Sequence, residues 1–166
     1  MKKILALLLM LSSFSFAQAK DEQRKSEVFK VDFSVMEVQG GKRTNIRNYT
    51  MFVEEGPRNY NTKVGNRIPI ATGKDNGIMY MDVGLSINCR ISGENNGAAV
   101  LEFNFEVGSL VAPEGNGAAV GGPVVRQIRQ DGVALLPMGK ATVISSTDDT
   151  NTNRTIVVEA TATHVK

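Results

Sequence analysis

The sequence predicts an all-β fold, a single antiparallel β-sandwich-like domain that follows a signal peptide. Apolar side chains recur at every second position along most of the chain, which is the period of a half-buried strand and differs from the 3.6-residue period of a helix. Clusters of glycine, proline and asparagine separate these segments at short spacing, as is typical of sandwiches and barrels. No segment carries a helical apolar stripe, and no long internal repeat occurs.

The clearest strand spans residues 79–91, where apolar side chains occupy every odd position and mostly polar residues or glycine lie between them. The odd-numbered face is therefore predicted to lie in the core. Residues 101–107 show the same alternation, and residues 92–97 between the two segments are predicted to form a loop. We expect a hairpin whose two apolar faces contact one core.

Six further segments have extended patterns, which brings the expected number of strands to about eight. They are residues 29–35, 43–54, 64–70, 124–136, 141–146 and 155–165. Gly40-Gly41 and Leu136-Pro137-Met138-Gly139 are predicted turns, as are residues 54–63 and 147–153. Because proline cannot donate a backbone hydrogen bond, Pro69 places its segment at a sheet edge or a strand end.

The N-terminus has the three parts of an export signal. Lys2 and Lys3 precede an apolar run from Ile4 to Leu11, and the small residues Ala17 and Ala19 occupy the two positions that a signal peptidase reads. Residues 1–19 are predicted to be a signal peptide cleaved after Ala19, because the apolar run is too short for a membrane helix of roughly 20 residues. Residues 20–26 are polar and predict a disordered leader, and residues 27–166 form the β domain. The expected location is periplasmic or secreted.

Charge and cysteine content narrow the classes of function. Removal of residues 1–19 takes two lysines and no acid from the 19 basic and 17 acidic residues, so the mature chain is near neutral. A neutral chain gives no electrostatic reason to expect nucleic acid or an anionic membrane as partner. Cys89 is the only cysteine, which excludes an intrachain disulfide. It lies in the apolar phase of its strand, so we expect a buried thiol.

No group of residues predicts catalysis. His164 is the only histidine and has no metal-ligand or triad partner near it in sequence, which indicates a surface residue. Residues 149–153 imitate the start of a calcium loop, but Arg154 replaces the required glycine and Ala160 the closing glutamate. The pairs Glu54-Glu55 and Asp148-Asp149 would point apart on strands and are expected to be solvated. We therefore expect no enzyme, no catalytic residue, no metal site and no cofactor.

Residues 112–123 are rich in glycine and proline and predict a flexible loop. Since loops on rigid scaffolds commonly carry function, this loop is the candidate contact site. Its candidate residues are Gly115, Asn116, Gly117, Gly121 and Gly122.

The stretch of residues 64–146 resembles the C-terminal homology region of bacterial secretins, the outer-membrane rings of type II and III secretion and pilus systems. Five segments carry the resemblance in the order and rough spacing of that family. They are Val64-Gly65-Asn66-Arg67-Ile68-Pro69-Ile70, Tyr80-Met81-Asp82-Val83-Gly84-Leu85, Leu101-Glu102-Phe103-Asn104-Phe105-Glu106-Val107, Pro123-Val124-Val125-Arg126-Gln127-Ile128-Arg129 and Pro137-Met138-Gly139-Lys140-Ala141-Thr142-Val143-Ile144. In secretins similar strands build the ring wall, so the resemblance implies a related strand scaffold.

Two departures limit what the resemblance implies. The ring-forming domains that precede this region in secretins are not found upstream, and Ile144-Ser145-Ser146 stands where a glycine-rich ending is usual. We expect the strand scaffold without gating or secretion, and no functional residue is carried over from the family. The expected function is a non-enzymatic envelope module that binds a partner or helps to assemble a complex. The partner is an unidentified envelope protein or complex, and the oligomeric state is left open.

Three alternatives stay open at this stage. A small outer-membrane β-barrel would also alternate with period two, although the chain has no tryptophan and only three tyrosines for aromatic girdles. A hydrolase with an unrecognised site would need acids that converge in a pocket. A secretin accessory protein or remnant would form ring-shaped oligomers.

Overall fold

The computed structural model describes residues 26–72, 77–111, 124–149 and 153–165. All regular structure in these ranges is β-strand. The strands are β1 (Val28–Gln39), β2 (Lys42–Glu54), β3 (Tyr60–Thr72), β4 (Gly77–Asn95), β5 (Ala98–Val111), β6 (Val124–Pro137), β7 (Thr142–Asp149) and β8 (Arg154–His164). The described part of the chain contains no helix long and apolar enough to cross a membrane.

The strands form two four-stranded sheets in which every neighbouring pair is antiparallel. Sheet A has the order β2-β1-β8-β7, so the first and last strands of the domain pair at its centre. Sheet B is a meander in the order β3-β4-β5-β6. The predicted all-β, sandwich-like fold is confirmed.

The core lies between the two sheets, and β1, β2, β4, β5 and β8 contribute alternate side chains to it, as the period-two pattern predicts. In β1 these are Phe29, Val31, Phe33 and Val35, each 9% exposed or less. The predicted β4–β5 hairpin also exists, with Cys89 paired opposite Phe103. The core positions of that hairpin are Leu85, Ile87, Cys89, Ile91, Ala99, Leu101, Phe103 and Phe105.

The β4–β5 turn is tighter than the sequence predicts. Residues 92–97 were expected to form a loop, but β4 continues to Asn95, and only Asn96 and Gly97 make the reversal. Both have positive φ, 51° and 76°, and an Asn-Gly pair with positive φ gives the two-residue turn whose twist matches a hairpin. β4 remains paired with β5 beyond Ile91 because a register shift between Ile91 and Gly93 accommodates one extra residue in β4.

Strands β3 and β7 are longer than predicted. β3 begins at Tyr60, inside the segment predicted as a turn, because backbone pairing with β4 continues to Tyr60 opposite Cys89. β7 reaches Asp149, inside the predicted polar turn, because it pairs with β8 as far as Arg154. Both strands lie at the edge of their sheets, where polar side chains are well tolerated.

Candidate functional site

Sheet B extends beyond sheet A. On the odd-numbered face of β4 the side chains from Leu85 onward are buried, but Met79 is 49% exposed. Met81 and Val83 are only partly buried. The prediction that the whole odd face of residues 79–91 lies in the core is therefore wrong for its first half. Alternation along a strand places side chains on one face, but it does not determine whether a second sheet covers that face.

The projecting part of sheet B divides into two hairpin arms. Backbone pairing between β4 and β5 ends at Leu85 and Val107, although both strands continue beyond that pair. We define the β3–β4 arm as residues 64–72 and 77–84, and the β5–β6 arm as residues 108–111 and 124–127. Each arm remains paired internally, with Thr72 opposite Gly77 in the first and Val111 opposite Val124 in the second.

Glycines mark the point at which the arms separate. Gly65 and Gly84 pair across β3 and β4. A Cβ atom on Gly84 would lie 2.3 Å from the carbonyl oxygen of Val64, and a Cβ on Gly65 would lie 2.3 Å from that of Val83. Gly84 also has a φ of +151°, which side chains rarely permit. The two backbones approach more closely here than any residue with a side chain allows.

A cleft of about 460 Å³ lies at the fork and is lined by residues of both arms. Two carboxylates face it, and each already has a polar partner. Arg67 Nε lies 3.1 Å from Asp82 Oδ1, and Gln127 Nε2 donates to Glu106 Oε1 at 3.1 Å. The Asp82 side chain is 71% exposed, so water screens its charge. The geometry favours polar contacts over acid–base chemistry at this cleft.

Several large apolar side chains on the arms are exposed. On the β3–β4 arm Val64 is 52% exposed, Ile78 62% and Tyr80 60%, and on the β5–β6 arm Leu110 is 50% exposed. Val64 pairs opposite Leu85 and so lies on the core-facing side of sheet B, whereas Ile78 and Tyr80 lie on the outer side with the other even-numbered positions of β4. The arms therefore expose apolar side chains on both faces, in addition to the polar cleft.

The two outer strands of sheet B, β3 and β6, have a free edge. Neither pairs with a strand of sheet A, and each has only one backbone-paired neighbour among the described strands. β3 has 13 residues and β6 has 14. Such long edges are templates for pairing with another strand.

Side chains connect β6 to β7 and so hold sheet B against sheet A. Arg126 Nη1 lies 2.8 Å from Asp149 Oδ2, and these side chains are only 23% and 12% exposed. Gln130 accepts hydrogen bonds from Ser145 and Thr147. The expectation that Asp148-Asp149 are both solvated charges is therefore wrong for Asp149. Sequence spacing could not reveal this pair, because its two residues lie on different sheets.

The structure buries Cys89 as predicted, with 1% of its surface exposed. Burial raises the pKa of the thiol to about 12, because a thiolate loses its hydration in an apolar core. Since the thiolate is the reactive species, burial makes Cys89 a poor nucleophile at neutral pH.

We expect the native protein to resist thiol reagents at pH 7 and to react fully once it is unfolded. The reaction of Cys89 with the reagent should be at least ~100-fold slower in buffer than in 6 M guanidinium, because the folded protein lowers both the thiolate fraction and the access of the reagent. Titration with Ellman's reagent measures both rates. Equal rates would contradict the position of Cys89 in the core.

His164 lies at the end of β8, exposed as expected, but it is not without partners. Its Nδ1 is 3.1 Å from Glu27 Oε2, and its Nε2 is 3.1 Å from Glu94 Oε2. The imidazole also packs against Phe29, with ring centroids 4.8 Å apart and ring planes tilted by 38°. Sequence reasoning missed this cluster because its members come from three distant segments that carry no spacing motif.

The predicted contact loop, including Gly115, Asn116, Gly117, Gly121 and Gly122, lies outside the described residues. So do the signal peptide, residues 20–25 of the leader and positions 150–152 of the calcium-like run. These expectations stay predictions.

Comparison with solved structures identifies the relatives of this fold. The chain superimposes on the type III secretion injectisome secretin InvG of Salmonella with a TM-score of 0.58 over 85% of its length, at 8% identity. The fold is secretin-like. The secretin-like chain also matches the type II secretion secretin GspD of E. coli K12 (TM-score 0.55, 9% identity, 85% of this chain) and the secretin XcpQ of Pseudomonas aeruginosa (0.51, 13%, 84%).

The secretin-like fold extends further than the residues that resemble secretins in sequence. The quoted segments span residues 64–146, whereas the structural match covers 85% of the chain. This chain spans 62% of the InvG chain, 48% of the GspD chain and 57% of the XcpQ chain. No family model matches the sequence, and no curated protein matches it. The likeness is therefore one of fold.

Proposed function

We propose that this protein is a non-enzymatic assembly module of the bacterial cell envelope, whose copies join side by side through the edges of sheet B. The observation that carries the proposal is that β3 and β6 both leave a long backbone edge unpaired. The secretin-like fold supports it, because the structural neighbours are components of secretion systems. The N-terminal export pattern supports a location in the envelope.

The direction of the strands favours pairing of β6 in one copy with β3 in the next. Neighbours in sheet B alternate in direction, so β3 and β6 run opposite ways. Joining unlike edges therefore continues the antiparallel pattern from copy to copy. Contacts between unlike surfaces generate rings when the rotation closes, so the expected assembly is a ring.

The edges carry features that would prevent indiscriminate pairing. β3 presents Lys63, Arg67 and Pro69, and β6 presents Arg129 and Asp131. Charges and proline on an edge oppose pairing with an arbitrary strand. A strand that pairs with either edge must therefore place compatible side chains opposite these charges and the proline. This requirement favours a second copy of the same chain over an unrelated strand.

Cysteine pairs placed on the two edges test this arrangement. Exposed positions Asn61, Lys63 and Asn66 on β3 are each combined with Arg129 or Asp131 on β6. Within one chain the two edges lie three strand spacings apart, roughly 14 Å, which exceeds the ~7 Å limit for a disulfide. Any disulfide between them must join two copies, and buried Cys89 does not interfere.

Mild oxidation of the assembled protein is expected to give a ladder of covalent oligomers larger than dimers for at least one pair. Non-reducing gels and mass photometry measure the ladder. The matched controls are the single-cysteine variants, which can form dimers at most. If every double variant also stops at monomer and dimer, and the protein sediments as a monomer, edge-to-edge assembly is wrong.

A further inference from the structure

We propose that Glu94 and His164 bind a transition-metal ion of the zinc type, with Glu27 as the residue that orients the imidazole. The site is independent of assembly through sheet B. It is built from three separate segments, namely the residue before β1, the end of β4 and the end of β8. Their candidate ligand atoms all lie within 4.8 Å of one another.

Backbone hydrogen bonds fix the position of these three segments. Val165 N donates to Val28 O at 2.9 Å, which holds the end of β8 beside the start of β1. Glu55 N donates to Glu27 O at 2.8 Å, and Gly56 N donates to Ile91 O at 2.9 Å. The loop after β2 thus connects the Glu27 segment to the end of β4, so the ligands sit on paired backbone.

The donor set suits a borderline metal ion. Zn²⁺ binds both imidazole nitrogen and carboxylate oxygen, whereas Ca²⁺ requires six or more oxygen ligands. His164 Nε2 and Glu94 Oε2 are 3.1 Å apart. Two ligands of a tetrahedral ion with bonds of ~2.1 Å lie about 3.4 Å apart, so an ion fits with a small outward movement.

The two ring nitrogens have different roles. A single ion can bond to only one of them, because their lone pairs point to opposite sides of the imidazole. Glu94 is the less exposed carboxylate, 33% against 55% for Glu27, so the ion lies on the Nε2 side. Glu27 then accepts a hydrogen bond from Nδ1–H, the arrangement in which a carboxylate fixes the tautomer of a metal-binding histidine.

The local charge favours a dication. Glu27 and Glu94 form no ion pair with a lysine or arginine among the described residues. The ion would neutralise these carboxylates and join β8 of sheet A to β4 of sheet B. Water would complete its coordination.

Metal binding is tested on purified protein without an affinity tag. We expect one Zn²⁺ per chain by isothermal titration and a tetrahedral absorption band with Co²⁺. His164→Gln and Glu94→Gln should abolish stoichiometric binding. Glu27→Gln should weaken it by about 10-fold to 100-fold, the usual effect of removing such an orienting group. The wild-type melting temperature should rise with Zn²⁺ concentration, and that of His164→Gln should not.

Asp131→Asn is the matched control, because Asp131 is an exposed carboxylate on β6, away from the cluster. It should bind Zn²⁺ like the wild type, and circular dichroism confirms that each variant is folded. Absence of saturable Zn²⁺ binding by the wild type would overturn the site. So would binding that persists unchanged in both His164→Gln and Glu94→Gln. A complete loss in Glu27→Gln would overturn the role assigned to Glu27.

Discussion

Replacement of Phe33 by alanine is expected to lower the free energy of unfolding by about 3 to 5 kcal/mol. Phe33 is 2% exposed and belongs to the core cluster between the two sheets. It lies on β1, which pairs on both sides, with β2 and with β8. The neighbouring backbone is therefore held on both sides and cannot collapse into the space that the ring leaves. Loss of the buried apolar surface and the remaining cavity both contribute.

Phe52→Ala is the matched control, because the same side chain is removed from the same sheet. Phe52 is 59% exposed on β2, so its truncation should change the free energy by less than about 0.5 kcal/mol. Urea unfolding followed by circular dichroism measures both variants. Similar losses in the two variants would show that sheet A does not bury the face that carries Phe33.

Replacement of Gly84 by alanine is expected to destabilise the protein by at least about 2 kcal/mol. The new Cβ would meet the Val64 carbonyl oxygen at 2.3 Å and the Gly65 Cα at 2.4 Å. Both atoms are backbone, so no side chain can move aside to make room. β3 and β4 would have to separate at the base of their arm, and the φ of +151° adds further strain.

Gly93→Ala is the control for Gly84→Ala, since both glycines lie in β4. A Cβ on Gly93 meets only Glu55 Oε1 at 3.7 Å, an ordinary contact, so we expect a change below about 1 kcal/mol. Urea unfolding measures the stability of both variants. Amide hydrogen exchange should show faster exchange in the β3–β4 arm of Gly84→Ala. An unchanged arm in that variant would disprove the close approach of the two backbones.

These two predictions draw on different kinds of information. The core position of Phe33 could be read from alternation along β1. The tight contact at Gly84 could not, because it depends on the distance between two strands. A glycine within a strand pattern only indicates that something approaches closely. Pairing with Gly65 shows that the neighbouring strand is what approaches Gly84.

The candidate sites show the same difference between what alternation along a strand predicts and what depends on neighbouring strands. Alternation predicted the buried thiol of Cys89, and it also predicted Met79 to be buried. The second prediction failed because β4 is longer than the sheet that covers it. The free edges of β3 and β6 follow from the order of strands, and Pro69 was the one residue that indicated an edge in advance.

The amino-acid sequence by itself determined the all-β class, most strand positions and the core-facing side of β4 and β5 where sheet A covers them. These are local properties, since a period of two specifies which side chains share a face. Only the tertiary structure decided how far each sheet is covered, which edges stay free and which charges meet. Asp149 with Arg126, and His164 with Glu27 and Glu94, come together because sheet pairing brings distant segments to one place, and no local pattern records that.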